Sequence, residues 1–336
     1  MELVNRTRLA VDRSVLLDAR GAERFIFAAK ATFSVGPHGV LRPADEPAAI
    51  SLVETFRGDP GSTSVRDEAE LGFPKVATDC ILEGHALTPT GRESKVAVRF
   101  SVGQAARSAI VWGRRRWSGW ASRSPSEPEP FDRLPLLWEH AFGGSDQSPE
   151  AAARRAFEPH NPVGVGLVAE GSRKNLGDVE LPRIEDPDDL LASPTGRPAL
   201  MGFGFIARHW QPRASYAGTY DAAWRRDRMP LLPLDFDPRF HSAAPPPLVS
   251  KRLAGGEPVR AQGVTRGGSI AFALPRPEVT VTLTLGRRKE RLALAIDTVR
   301  FDADLLRLTM LLKADIGVHG QLDDVRETRF EGEVRA

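Results

Sequence analysis

The stretch Val279-Thr280-Val281-Thr282-Leu283-Thr284-Leu285 decides the fold class. Aliphatic side chains alternate one for one with threonines, the two-residue period of a strand that is buried on one face. Toward the C-terminus, Gly286-Arg287-Arg288-Lys289-Glu290 makes a polar turn and Leu292, Leu294 and Ile296 resume the alternation. Asp302-Ala303-Asp304 then turns the chain into Leu306, Leu308, Met310 and Leu312. This pattern predicts an antiparallel meander. The N-terminal flank reads the same way: Phe25, Phe27 and Phe33 mark one strand, and Ile81 and Glu83 another. Val96, Val98, Phe100 and Val102 mark a third, leading into Ala109-Ile110-Val111-Trp112. Two β flanks so spaced predict an antiparallel, sandwich-like core.

The segment between the flanks is set apart by proline. Of the 27 prolines, 18 fall between residues 121 and 250. Because proline fixes φ and removes a backbone donor, that segment should be mostly irregular chain. The expected architecture is mainly β and a single domain over 1–336: flanks at 1–120 and 251–336, and a long proline-rich but ordered insertion at 121–250. One or two short helices are expected. Ser148-Pro149-Glu150 followed by alanines to Ala156 is the best candidate, with an N-cap serine and proline at N1. A second follows Asp221 through Trp224 and Arg226. The flanks also echo each other: Lys30 to Gly39 and Lys313 to Gly320 each run from a lysine-bearing strand into a His-Gly turn. A duplication, two edge strands with similar turns, and convergent turn chemistry all account for it, the last most simply.

Composition narrows the function. A chain of 336 residues, 41% hydrophobic and 27% charged, has the make-up of a soluble globular protein and not of a disordered or collagenous one. No apolar run approaches the ~18 residues of a membrane span. The opening residues Met1 to Arg6 do not resemble a secretory leader, and a single cysteine, Cys80, can form neither an internal disulfide nor a cysteine-based zinc site. A cytoplasmic location is expected. The net charge of +2 offers no field to draw in nucleic acid or an anionic membrane, although only seven of the 46 basic residues are lysines.

Few residues suggest chemistry. Trp112-Gly113-Arg114-Arg115-Arg116-Trp117-Ser118-Gly119-Trp120 could stack on nucleic acid, or could be a strand whose indoles pack inward beneath arginines. Asp235-Phe236-Asp237 with His241 could supply ligands to a divalent metal in a transferase or hydrolase, but the surrounding prolines favour a turn held by backbone donors. No Gly-x-Ser-x-Gly or His-Glu-x-x-His motif occurs. No catalytic residue, metal or cofactor is assigned, and a small-molecule ligand is not expected. Aromatic residues punctuate the insertion instead. Trp138, Phe142, Trp210, Tyr220 and Trp224, with Asp221, are the candidate partner-binding residues, since aromatics in ordered loops supply contact area at low entropic cost.

Several of these segments, in order, resemble the domain of unknown function 2169: Leu71-Gly72-Phe73-Pro74-Lys75-Val76-Ala77-Thr78-Asp79, Glu139-His140-Ala141-Phe142-Gly143-Gly144, and Asn161-Pro162-Val163-Gly164. Further along come Leu181-Pro182-Arg183-Ile184-Glu185-Asp186-Pro187, Trp210-Gln211-Pro212-Arg213, Gly218-Thr219-Tyr220-Asp221 with Trp224, and Pro233-Leu234-Asp235-Phe236-Asp237. That family occurs in bacteria with type VI secretion systems. The resemblance implies a cytoplasmic adaptor or chaperone that binds a secreted effector and helps load it onto the spike, whose tip proteins carry proline-alanine-alanine-arginine repeats. It brings no catalytic residues. The triple arginine at 114–116 departs from the single arginine common in members.

Overall fold

The strand Glu23–Val35 shows how alternation builds the centre of the molecule. Its odd-numbered side chains, Phe25, Phe27, Ala29, Ala31, Phe33 and Val35, all enter the apolar core. Its even-numbered side chains, among them Lys30 and Thr32, must then face the other way. A computed structural model describes residues 2–118, 124–172, 175–266, 268–318 and 320–336 of the chain.

Glu23–Val35 lies inside a seven-stranded sheet ordered Val249–Ser250, Thr78–Glu83, Ala295–Asp302, Arg307–Gly317, Glu23–Val35, Ala10–Leu17, with Leu41–Pro43 also paired to Glu23–Val35. Both flanks build it. Thr78–Glu83 runs parallel to Ala295–Asp302, and the other pairings are antiparallel. Lys30 stands opposite Leu311 and Lys313 opposite Ala28. The two echoing lysines are therefore diagonal neighbours on one face of adjacent central strands, not on sheet edges. His319 of the second turn lies outside the described residues, whereas His38 sits in a left-handed turn at φ 57°.

The predicted C-terminal meander is in fact two hairpins on two sheets. Arg276–Leu285 pairs with Arg288–Ala293 in a four-stranded sheet completed by Val325–Arg335 and Glu2–Asn5. Ala295–Asp302 and Arg307–Gly317 instead join the seven-stranded sheet. The corner is Leu294, which is buried and donates its N–H to Val279 O at 2.9 Å. A buried corner residue keeps the apolar rhythm unbroken, which is why the crossing leaves no mark in the sequence. A third sheet of five strands, Ile184–Glu185, Ala105–Trp112, Lys95–Val102, Pro258–Gln262 and Ser269–Ala273, completes a mainly β architecture.

Two short α-helices are described. Ala222–Asp227 begins where Asp221 caps it, accepting from Trp224 N, as the sequence predicts. The other is Arg213–Tyr216. The alanine run after Ser148 forms only a single 3₁₀ turn, Ala152–Arg154. Its side chains are exposed, and so short a helix with no apolar face to bury is not stable. Among the described residues no helix is long and apolar enough to cross a membrane.

The insertion is tied to the flanks through shared core. One apolar cluster runs from Phe25 and Phe301 through Trp138, Phe203 and Trp210, and a smaller one gathers Trp117, Phe142, Leu167, Leu181 and Leu191. The Phe142-Gly143-Gly144 and Asn161-Pro162-Val163-Gly164 segments interlock. Buried Asn161 donates from Nδ2 to Trp138 O and Phe142 O, each at 2.9 Å. Gly143 has φ +152°, and a Cβ there would stand 2.2 Å from Asn161 O, so only glycine fits.

Candidate functional site

The polar face of the seven-stranded sheet is covered over its central part and open at one end. The chain around 49–75 and the insertion near 206–213 and 240–244 lie over it, and their backbone groups meet the charges the sheet presents. Lys30 Nζ donates to Ala49 O at 2.8 Å and pairs with Glu70 at 2.6 Å. Lys313 Nζ donates to Gly72 O at 3.2 Å, and Asp79 Oδ2 accepts from Ala243 N and Ala244 N at 2.6 and 3.2 Å. Arg213, on its short helix, joins Glu68 at 2.5 Å and bonds Ile206 O and Phe240 O.

At the centre is fully buried Asp297. Its carboxylate accepts from Lys75 N at 2.9 Å and lies 3.7 Å from both Lys75 Nζ and Lys313 Nζ. Lys75 also pairs with Asp79 at 2.6 Å and donates to Thr298 Oγ1 at 2.7 Å. That difference separates the two lysines. Burial lowers the basicity of both, but at Lys75 the adjacent Asp79 and Asp297 outweigh it and hold the ammonium above its ordinary range. At Lys313 burial prevails over Asp297 and the value falls below the ordinary one. Asp297 resists burial because Lys313 and Lys75 flank it, and it titrates below a usual carboxylate. The space between these groups measures about 30 Å³, room for one water molecule and not for a substrate.

His241 borders the same space. Burial, followed by the charges of Lys313, Arg213 and Arg208, presses its pKa to about 4, against the weaker pull of Asp297. Three phenylalanine rings, Phe73, Phe236 and Phe240, surround the imidazole. It is therefore turned inward, away from the two aspartates that precede it.

Asp235 and Asp237 are engaged with other groups. Asp235 Oδ1 accepts from Thr219 N at 3.0 Å and Oδ2 from Thr219 Oγ1 at 2.7 Å. Asp237 binds the Arg239 guanidinium and backbone N–H, while its own N–H donates to Tyr216 O at 2.9 Å. Both carboxyls sit below their ordinary pKa through these hydrogen bonds. Among the described residues no group of three or more His, Cys, Asp and Glu side chains is placed to hold a metal ion. The two aspartates act as a clasp that closes the neck of a surface excursion, residues 217–237. Gly218 at φ +83° sits inside the clasp, where a Cβ would stand 2.8 Å from Asp235 Oδ1. We expect Asp235→Ala to raise the rate of tryptic cleavage at Arg225 and Arg226 while the global melting temperature holds. Unchanged cleavage would mean the clasp does not restrain the excursion.

The excursion is a spur built on the helix Ala222–Asp227. Trp224 Nε1 donates to Leu231 O at 2.9 Å, and the Tyr220 ring packs against the Trp224 indole at 4.7 Å. Its base rests on the hairpin turn at 18–22. Arg228 donates to Ala19 O there, and the Leu231 side chain covers Gly21. The remaining apolar side chains point out: Leu234 is 88% exposed, Met229 59% and Tyr220 53%.

The six candidate partner-binding residues thus divide. Tyr220 and Asp221 are exposed on the spur, and Trp224 is half-buried behind them. Trp138, Phe142 and Trp210 are core: Trp210 is 1% exposed and meets Trp138 edge-on at 6.1 Å. Trp138 Nε1 donates to Phe205 O at 3.0 Å. These three cannot touch a partner without unpacking the fold, because they bridge the insertion to the flanks. Part of the arginine-indole stretch, Arg115 and Trp117, also packs inward. Arg115 is buried, bonded to Pro182 O and Glu185 and stacked 4.4 Å over Trp112, Arg114 pairs with Glu180, and Trp117 is buried. Gly119 and Trp120 lie outside the described residues. Cys80 is buried, and burial pushes its thiol up to about 12, so no nucleophilic thiolate is available.

Asp297, Glu68 and the covering of the polar face escaped the sequence reading. One signal was present: Lys75 and Asp79 stand four apart, the only charged residues of Phe73-Pro74-Lys75-Val76-Ala77-Thr78-Asp79. Three larger open sheets, a buried ionic network on the seven-stranded one and a clasped surface spur define the molecule as a mainly β protein. The chain belongs to the family described as an uncharacterized protein conserved in bacteria (DUF2169), whose model matches residues 20–313. Neither the curated proteins nor the solved structures give a match.

Proposed function

We propose that this protein is a non-enzymatic, cytoplasmic adaptor that binds a type VI secretion effector and helps load it onto the spike tip. The observation that carries the reading is the spur. Tyr220, Met229 and Leu234 are held out in water by a clasp, a capped helix and a docked base. Ordered apolar side chains kept out of the core are the usual anchors of a protein interface, and an aromatic at the centre of such a patch contributes most. The family resemblance supplies the partner class.

Co-purification with the effector encoded beside this reading frame tests the proposal. Tyr220→Ala and Leu234→Asp should each weaken capture about tenfold or more without lowering the melting temperature, since both side chains are exposed. Trp224→Ala is a poorer probe, because its indole also braces Leu231 O. Full effector secretion in a strain lacking the protein would refute the adaptor role.

A further inference from the structure

We infer that the open end of the covered polar face is a binding site for a single carboxylate presented by an acidic peptide segment. The site is a cleft of about 430 Å³ beside the buried network, floored by the strands Ala295–Asp302 and Arg307–Gly317 and walled by the chain near 48–67. It is built around arginine, and the arginines fall into two groups.

Arg300 is fully engaged. Its Nε donates to Glu83 at 2.6 Å, Nη1 to Asp67 at 2.7 Å and Nη2 to Arg66 O at 3.3 Å, and its guanidinium lies 5.6 Å over the Phe205 ring. Arg57 gives one nitrogen to Glu83 at 2.8 Å. These pairs fix the floor. Arg66 and Arg307 line the same cleft with their side chains exposed, Arg66 approaching Asp67 only at 3.6 Å. No hydrogen bond of the described residues engages the Arg307 guanidinium. Register fixes its backbone opposite Asp302 on one side and Ser34 on the other.

Charge decides the ligand. The cleft presents Lys30, Arg57, Arg66, Arg300 and Arg307 against Asp67, Glu83 and Asp302. Glu70 already neutralises Lys30. One positive charge is left over, which one carboxylate satisfies, while the resident carboxylates repel a phosphate dianion or a nucleic acid backbone. An arginine fork matches a carboxylate in a bidentate way. Leu305, exposed at the rim, gives the flanking peptide an apolar footing. The inference rests on this cleft alone and is separate from the adaptor reading.

The test is fluorescence anisotropy at low salt with a labelled hexapeptide containing two glutamates, beside its glutamine counterpart, inorganic phosphate as competitor and a labelled single-stranded oligonucleotide. The glutamate peptide should bind and the glutamine peptide should not. Arg66→Ala and Arg307→Ala should each weaken binding about tenfold, Arg307→Lys should restore part of it, and added salt should reduce it. Both alanine variants should melt as the parent does. Failure of the glutamate peptide to bind, binding that survives Arg66→Ala and Arg307→Ala combined, or preferential binding of the oligonucleotide or phosphate at these arginines would each overturn the inference.

Discussion

Replacing Asp297 with alanine is expected to cost about 4 kcal/mol of stability, because it removes the carboxylate that two buried ammonium groups share. Asp297 lies 3.7 Å from both Lys75 Nζ and Lys313 Nζ and also accepts from Lys75 N. Lys75 retains Asp79 at 2.6 Å, whereas Lys313 keeps only Gly72 O at 3.2 Å. The loss should therefore concentrate on Lys313. Adding Lys313→Met to Asp297→Ala should restore part of the stability, since an apolar side chain of similar length removes the unpaired charge. Urea unfolding of the single and double variants measures both effects. A loss under about 1 kcal/mol for the single variant, or no recovery in the double, would show that water reaches the network and the charges are not held in a dry interior.

The second large effect is a loss of stability in mild acid. His241 in the native protein titrates near 4, against an ordinary value of 6.5. A histidine whose folded pKa is depressed favours the unfolded state, which takes up the proton first. Its contribution to stability is whole above pH 6.5 and disappears as the pH falls toward 4. A shift of this size is worth about 3 kcal/mol over that window. His241→Gln should flatten the dependence between pH 6.5 and 4 in chemical unfolding while leaving the carboxylate-driven loss below it. That deeper loss follows from Asp297, Glu68 and Asp67, all held below their ordinary range, whose contributions disappear as the pH falls through those lowered values. An equally steep slope in the glutamine variant would place the acid sensitivity elsewhere.

Periodicity made the strands legible because it records which side of a strand is apolar. Phe25, Phe27 and Phe33 face the core as their spacing requires, and the Val279–Leu285 alternation is a strand buried on one side. Periodicity does not record what lies over the other side. Lys30 and Lys313 occupy the positions that read as solvent-facing, yet the chain near 49–75 and part of the insertion cover them. Nor does a local pattern report partners far apart in sequence, such as Lys75 with Asp297. The same blindness hid the corner at Leu294, whose burial continues the rhythm across two sheets. The aromatic residues illustrate the limit differently. Trp138 and Tyr220 both lie in the proline-rich stretch with no strand period around them, and the tertiary arrangement puts one in the core and the other on the spur.

The central pairing also sets an order in time. The strand Glu23–Val35 is made early, but its antiparallel neighbour Arg307–Gly317 follows about 270 residues later. At ordinary rates of synthesis the wait is on the order of tens of seconds. Throughout it, a segment carrying Phe25, Ile26, Phe27 and Phe33 has no native partner on that side and only the Ala10–Leu17 and Leu41–Pro43 strands to shield it. A polypeptide that closes its centre last carries apolar surface open to aggregation until its C-terminal flank has been made.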